Sequence, residues 1–519
     1  MTEFIRLEFV LQSFYSVCTL WLPEVSVLNL LSNKKETFRF MVPMRRLLFI
    51  VILLLCTAGL PVKAQQILVS PYLQPGNGST ASREQKVLIW QTDSIPATFN
   101  VEFAAGNLGD VKKISTAKVS SVQLKLGGHT TILYRALLAG LKFDADYTYR
   151  VKKGSDIVLN ASFATRTKRN ATRFAVFGDC GTGSPEQKAI AYQIAQQKPQ
   201  FVLIPGDIVY NRGMMNEYQA RYFPIYNGTE TSLEKGASLM KSIPFYTLLG
   251  NHDVLSSNLD KIPGGLAYFY YNEMPANAPL TERPLEVTGK AETVKAYEAA
   301  TKGRYPGTAN YSFEYDNVHI TCLDANVYTN PLDQALINWM REDIASSTAD
   351  WKMVSFHEPG FNSSLAHDDS QIMRLLCPVM EELGVDMVLN GHVHNYQRTR
   401  PIRFAPKMNE KGDQFIVSKA GNVDGVVTLD QKFDGITNKK PDGIIYIVTG
   451  AGGAALYDPE LSNKPELWKH ETKENWVPFT VKLISDVHSF TMIETEGKKL
   501  TLRQINVRGE VIDEIHLTK

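Results

Sequence analysis

From Gln65 to about Thr167 apolar and polar positions alternate in short runs, the period of half-buried β-strands. Val87-Leu88-Ile89-Trp90, Asn100-Val101-Glu102-Phe103 and Tyr147-Thr148-Tyr149-Arg150-Val151 are such runs, separated by Gly, Pro, Asp and Ser turns. Leu138-Ala139-Gly140-Leu141 followed by Tyr147 has the spacing of a tyrosine corner, and Trp90 suits the core tryptophan of an immunoglobulin-like sandwich. No cluster of His, Cys or carboxylates falls here, and His129 stands alone as a surface histidine would. The pattern predicts an all-β sandwich over 65–167 that supports its neighbour.

Thr167-Lys168-Arg169-Asn170 is polar and reads as a linker, after which the period changes. Apolar runs that read as buried strands now alternate with helical stripes, the signature of an α/β architecture over 168–519. Arg173-Phe174-Ala175-Val176-Phe177, Phe201-Val202-Leu203-Ile204, Phe245-Tyr246-Thr247-Leu248-Leu249, His319-Ile320-Thr321-Cys322-Leu323, Met353-Val354-Ser355-Phe356 and Val385-Asp386-Met387-Val388 are the strands. Helices are predicted from Ser184 to Gln197 and along two stripes: Leu332, Leu336, Met340 and Ile344, then Ile372, Leu375, Leu376, Val379, Met380 and Leu383. The segment from Glu273 to about Asn310 is polar and weakly periodic, a rim over a site or a decorated loop. Phe490-Thr491-Met492-Ile493 and Lys499-Leu500-Thr501-Leu502-Arg503 read as closing antiparallel strands.

The amino terminus departs from both patterns. Met44-Arg45-Arg46, then Leu47 to Leu55, then Val62-Lys63-Ala64, form the charged, apolar and small-residue parts of a secretory signal peptide cut before Gln65. Its apolar run is too short for a stable membrane span. We therefore expect 41–64 to be the signal, 1–40 to be an upstream extension from a mis-assigned start codon, and the mature protein to be secreted, periplasmic or at the cell surface. Of five cysteines only Cys180, Cys322 and Cys377 lie beyond the signal, too few and too odd for a disulfide framework. Across 519 residues the net charge is +1, which excludes the basic excess of a nucleic-acid or anionic-membrane binder.

Chemistry-bearing residues collect where the strands end. Asp179, Asp207, Tyr210, Asn251, His357, His392 and His394 each follow an apolar strand on a Gly- or Pro-containing turn. Carboxyl ends of strands are where open α/β sheets put their ligand sites. Taken alone, the His392-Val393-His394 pair reads equally well as part of a solvated loop; in this company it reads as ligands. Carboxylate, imidazole, amide and phenol suit hard-to-borderline metals rather than a thiolate site. Seven candidates exceed one tetrahedral zinc and are about right for two metals at the ~3.5–4 Å separation used in phosphate-ester chemistry.

In their order, Gly178-Asp179-x-Gly181, Gly206-Asp207-x-x-Tyr210, Gly250-Asn251-His252-Asp253, Val354-x-x-His357 and Gly391-His392-x-His394 resemble the five-block signature of purple acid phosphatases, within the calcineurin-like metallophosphoesterases. The resemblance extends to the preceding fibronectin type III-like sandwich, and implies a catalytic fold of two sheets flanked by helices. It implies that Asp179, Tyr210 and His394 hold ferric iron. Asn251, His357 and His392 would hold a divalent ion (Fe, Zn or Mn), with Asp207 bridging. Gly181 stands where most metallophosphoesterases carry a further histidine, and Tyr210 where they carry no phenolate. A phenol of pKa ~10 ligates as phenolate only to a strongly Lewis-acidic ion. The resemblance also implies substrate contacts from Asn251, and from His252 and His367 as catalytic proton donors; the family often carries a histidine pair at the second place, and here Ala366 precedes His367. The expected partner is a small-molecule phosphate ester, hydrolysed as a monoester, with phosphodiester or nucleotide hydrolysis as the runner-up and a non-catalytic cell-surface binding protein as the competing class.

Overall fold

In the computed structural model the described residues run from Gln65 to Lys519, apart from Ser79, Ala81 and residues 470–478. The expected extension and signal lie outside them. Strands are numbered in chain order. The first eight form two antiparallel four-stranded sheets. One is ordered β1 (Ile67–Gln74), β2 (Glu84–Thr92), β6 (His129–Leu141), β5 (Val119–Leu126), and the other β4 (Ser115–Ala117), β3 (Phe99–Ala105), β7 (Asp146–Lys153), β8 (Asp156–Ala164). Between them Trp90 is fully buried, stacked on Tyr134 at 5.4 Å and edge-on to Phe99 at 5.2 Å. The Tyr147 hydroxyl accepts the Lys142 N–H at 3.1 Å, closing the tyrosine corner that the spacing predicts.

Residues 65–519 form one compact unit, so the β-rich region is bolted to the α/β region. Tyr72 donates its hydroxyl to the Tyr271 carbonyl at 2.7 Å and Tyr149 to the Lys241 carbonyl at 2.8 Å. The polar linker is fixed as well: the Asp316 carboxylate accepts the N–H groups of Arg169, Asn170 and Ala171.

The α/β region is a sandwich of two mixed sheets. The first is ordered β11 (Phe245–Thr247), β10 (Phe201–Ile204), β9 (Ala171–Val176), β21 (Ser489–Glu496), β22 (Lys499–Asn506), β23 (Val511–Thr518); β9, β10 and β11 run parallel and the rest antiparallel. The second is ordered β12 (Tyr311–Tyr315), β13 (Val318–Cys322), β14 (Trp351–Ser355), β15 (Met387–Asn390), β19 (Ile445–Thr449), β16 (Tyr396–Thr399), β20 (Thr480–Ile484), with β13, β14, β15 and β19 parallel. Alternation along each strand divides the cores. Phe174, Val202 and Met492 meet Met353, Leu389 and Ile447 between the sheets, while Val354, Val388 and Tyr446 face outward under helices.

Helix α1 (Pro185–Gln197) begins where expected: Ser184 caps it by accepting the Gln187 N–H at 3.1 Å, and Pro185 occupies the first turn. Helix α2 (Gln334–Ser346), capped by Asp333, lays Leu336, Met340 and Ile344 on the second sheet. The second stripe differs from its reading as one helix. It is a 3₁₀ turn (Ile372–Leu376) followed by a short α-helix (Cys377–Glu382), because Pro378 offers no N–H and disfavours helical geometry before it. Cys180, Cys322 and Cys377 are buried free thiols. Among the described residues no helix is long and apolar enough to cross a membrane.

Candidate metal centre

The loops that leave β9, β10, β11, β14 and β15 converge at one edge of the sandwich, and the backbone bonds among them are made by the candidate residues themselves. Asp179, Asp207 and His392 all have φ in the left-handed region, at 59°, 49° and 69°. Such geometry costs of order 1–3 kcal/mol per residue and persists only where surroundings over-determine it. Here they do. Both Asp179 carboxylate oxygens accept the His392 N–H, at 3.0 and 2.9 Å, and Asp207 Oδ1 accepts the His252 N–H at 2.9 Å. Asp253, fully buried, accepts the N–H groups of Ile208 at 3.2 Å and Gly250 at 2.9 Å, tying the Asp207 turn to the Asn251 turn. Gly206, at φ +91°, packs so tightly on the His357 imidazole that a side chain there would collide with the ring.

Side chains then meet in two groups. The Tyr210 hydroxyl lies 3.2 Å from Asp179 Oδ1 and 3.0 Å from His394 Nε2, and the latter is 3.5 Å from Asp179 Oδ1. Asn251 Oδ1 lies 3.1 Å from His357 Nε2 and 3.0 Å from His392 Nδ1. Asp207 lies between, with Oδ1 3.4 Å from His357 Nε2; ligand atoms of Asp179, Asp207 and His357 all fall within 4.8 Å of one another. Backbone carbonyls orient two of the rings. His357 Nδ1 bonds the Pro205 carbonyl at 2.8 Å and His394 Nδ1 the Ala455 carbonyl at 2.7 Å, so each turns Nε2 inward.

This donor set fits cations. The amide oxygen of Asn251 faces two inward imidazole nitrogens, an array of acceptors that a positive ion between them would satisfy. Electrostatics point the same way. Burial opposes a charge on His357, yet Asp207 and Asp179 hold its pKa well above the ordinary histidine value. Burial likewise opposes ionisation of Asp207, but His357 and the His252 N–H keep it well below the usual carboxylate range. Without metal, a proton on His357 supplies the charge these carboxylates demand. Burial, with Asp179 and Asp207 alongside, raises the Tyr210 phenol far above its ordinary value, so only a strongly polarising cation would make it a phenolate. Burial and the Asp207 charge push Asp253 up to about 8.

His252 and His367 flank the two groups. His252 is part-exposed, its ring 4.6 Å from that of Tyr210, with Nδ1 bonded to the Asn211 carbonyl at 2.7 Å and Nε2 4.0 Å from Asp207 Oδ2. The His367 ring stands 4.0 Å from that of His392, and burial, then the neighbouring His394 and His357, lowers its pKa. Asp458 holds this loop by accepting the N–H groups of Leu365 at 2.9 Å and Ala366 at 3.2 Å. All nine residues singled out from sequence are therefore at one edge. Two neighbours escape sequence reasoning. Tyr457 stacks on His394 at 4.0 Å with rings 7° from parallel, and Asp253 acts as a buried strut. Asp253 sits inside the Gly250-Asn251-His252-Asp253 motif; Tyr457 follows the glycine-rich Gly450-Ala451-Gly452-Gly453 turn, whose signal is close backbone approach. A Cβ at Gly450 would come 2.8 Å from Asp179 Oδ2.

Residues 172–396 match the family model of the calcineurin-like phosphoesterases. Together with the fold this match defines a class: the chain carries a calcineurin-like metallophosphoesterase domain. Similar curated proteins include purple acid phosphatases. The chain is 25% identical to probable purple acid phosphatase 20 of Arabidopsis thaliana over 314 residues, 58% of this chain and 64% of that protein. It is 24% identical to purple acid phosphatase 18 of the same plant over 410 residues, 72% of this chain and 82% of that one. The match thus spans just under two thirds of the first relative. Among solved structures, a purple acid phosphatase from yellow lupin (Lupinus luteus) seeds shares the fold at TM-score 0.56 and 14% identity, covering 86% of this chain and 74% of its own. PhoD shares it at 0.52 and 13%, covering 89% and 90%.

Proposed function

We propose that this chain is an exported dinuclear-metal phosphatase that hydrolyses phosphate monoesters. The observation that carries the reading is the convergence of Asp179, Tyr210 and His394 on one point and of Asn251, His357 and His392 on another, with Asp207 between. In this reading the first group holds ferric iron, because a buried phenol beside two carboxylates ionises only against a strong Lewis acid. The second holds a divalent ion, Fe, Zn or Mn. When bound, the pair supplies charge neutralisation of the phosphate and acidification of a water nucleophile. Residues 65–167 form the supporting sandwich, 168–519 the catalytic domain, and residues 41–64 direct export.

The protein's own residues do the rest. His357 and His394, locked by the Pro205 and Ala455 carbonyls, hold their donor atoms in place without reorganisation. Asn251 fixes a phosphate oxygen's position through its amide. His252 gives its Nδ1–H to the Asn211 carbonyl and turns Nε2 to the site, where in the imidazolium form it donates to an oxygen of the bound phosphate. His367 gives the departing oxygen its proton, the step that an alkoxide leaving group needs most.

Metal analysis with a visible spectrum, alongside hydrolysis of 4-nitrophenyl phosphate and of its bis-ester, tests the reading. Iron and a second metal near one each, a visible charge-transfer band and preference for the monoester are expected. Preference for the diester would replace it with a phosphodiesterase; a protein that takes up no metal would leave a binding module.

A further inference from the structure

A cleft of about 640 Å³ opens beside Asn251, with Glu282, Arg283 and Glu286 in one wall, Val327 and Tyr328 in a second, and Leu255 also in its lining. Both walls are built. The first is pinned by reciprocal bonds of its neighbouring backbone: Thr288 N–H to Ser257 O at 2.9 Å, and Leu259 N–H to Thr288 O at 3.0 Å. Tyr305 holds it from behind, donating to Leu285 O at 2.6 Å. The second wall is a turn whose carboxylate Asp324 accepts the Tyr328 hydroxyl at 2.6 Å and the Asn326 amide at 2.8 Å. At its tip Val327 is 100% exposed, and Leu255, which also lines the cleft, is 61% exposed. Two apolar side chains held bare to water on turns next to a reacting centre are what a pocket for an apolar group looks like.

We infer that this cleft takes the leaving group of the substrate, and that the group is a flat apolar one, an aromatic ring, rather than a second phosphate or a polyol. The inference rests on the phosphatase reading and names its substrate class. The charge of the cleft supports the choice. Glu282, Arg283 and Glu286 line the cleft from exposed positions with two carboxylates to one guanidinium, a net negative charge that disfavours a further phosphate. The Arg283 guanidinium has a planar face to lay on a ring. The cleft reaches Asn251, so an ester oxygen held at the centre points its substituent along these walls.

The test compares kcat/KM for 2-naphthyl phosphate and phenyl phosphate, esters of like leaving-group acidity that differ in apolar area. The wild-type protein is expected to favour the naphthyl ester about tenfold, mostly through KM. In Val327→Asp and Leu255→Asp the preference is expected to disappear; both positions are exposed, so the fold survives, and thermal melting checks that. Hydrolysis of both esters at equal kcat/KM, or a naphthyl preference that neither variant lowers, overturns the inference and leaves the phosphatase reading standing. Hydrolysis of neither ester by metal-loaded protein overturns both.

Discussion

The Tyr210 hydroxyl lies 3.0 Å from Nε2 of His394, whose other nitrogen is held by the Ala455 carbonyl at 2.7 Å. The phenol is buried beside two carboxylates that both oppose its ionisation. It therefore stays neutral in metal-free protein and gives up its proton only to a strong Lewis acid. Tyr210→Phe keeps the ring and its packing and removes one donor atom. In iron-loaded protein we expect the visible band to vanish and activity to fall on the order of 10²-fold or more, since even residues behind the ligands cost 10–100-fold. Visible spectra of wild type and variant at matched iron content check this; an unchanged band would remove Tyr210 from the iron.

His367→Ala separates proton donation from support. The His367 ring faces that of His392 at 4.0 Å, and its loop is held by Asp458, not by the imidazole. The alanine variant should fold and load metal normally. Loss of a general acid typically costs 10²–10⁴-fold, and most where the leaving oxygen is basic. We expect a fall of about 10²-fold for an alkyl phosphate and several-fold or less for 4-nitrophenyl phosphate. Equal falls for both esters would assign His367 to positioning.

Asp179, Asp207, His357 and His392 were legible because each ends a short apolar strand, and parallel strands put their carboxyl ends at one edge. Trp90 and Tyr147 were legible for the same kind of reason: period-two alternation and corner spacing are local. What sequence concealed was set by contacts distant along the chain. Tyr457 meets His394 only because β16 and β19 pair antiparallel beside β15, which no local pattern encodes. The paired strands Ile402–Pro406 and Gly425–Leu429, and the last strand β23, lie next to long polar or charged stretches that blur alternation. The stripe ending at Leu383 kept its apolar face but lost its single helix to Pro378.

Gly206→Ala tests whether the site depends on close approach rather than on ligands alone. Gly206 has φ +91°, and an added methyl would strike the His357 ring. Left-handed strain and overpacking together cost about 2–4 kcal/mol. Relief by moving His357 would also break its bond to the Pro205 carbonyl and misaim Nε2. We expect a lower Tm and, in the folded fraction, weaker uptake of the second metal. Full metal occupancy with normal activity would show that the ring tolerates displacement.

Asp513 gives the acid limb of stability. Its carboxylate takes two bonds from Arg398, at 2.6 and 3.0 Å, and one from the Tyr396 hydroxyl at 2.7 Å, clasping β23 to β16. Burial opposes its ionisation, but Arg398 outweighs that and its pKa lies below the ordinary aspartate value. A carboxyl depressed in the folded state contributes stability that is complete above the unfolded pKa of ~3.9 and is lost as pH falls through the lower folded value. Asp513→Asn leaves the Arg398 charge buried and unpaired, a loss of about 3–5 kcal/mol at neutral pH. The two proteins should therefore differ most at pH 7 and converge as the wild-type carboxylate is protonated below about pH 4. Urea unfolding at pH 7, 5 and 3 measures it; a gap that stays constant across that range would mean that Asp513 binds its proton equally in both states.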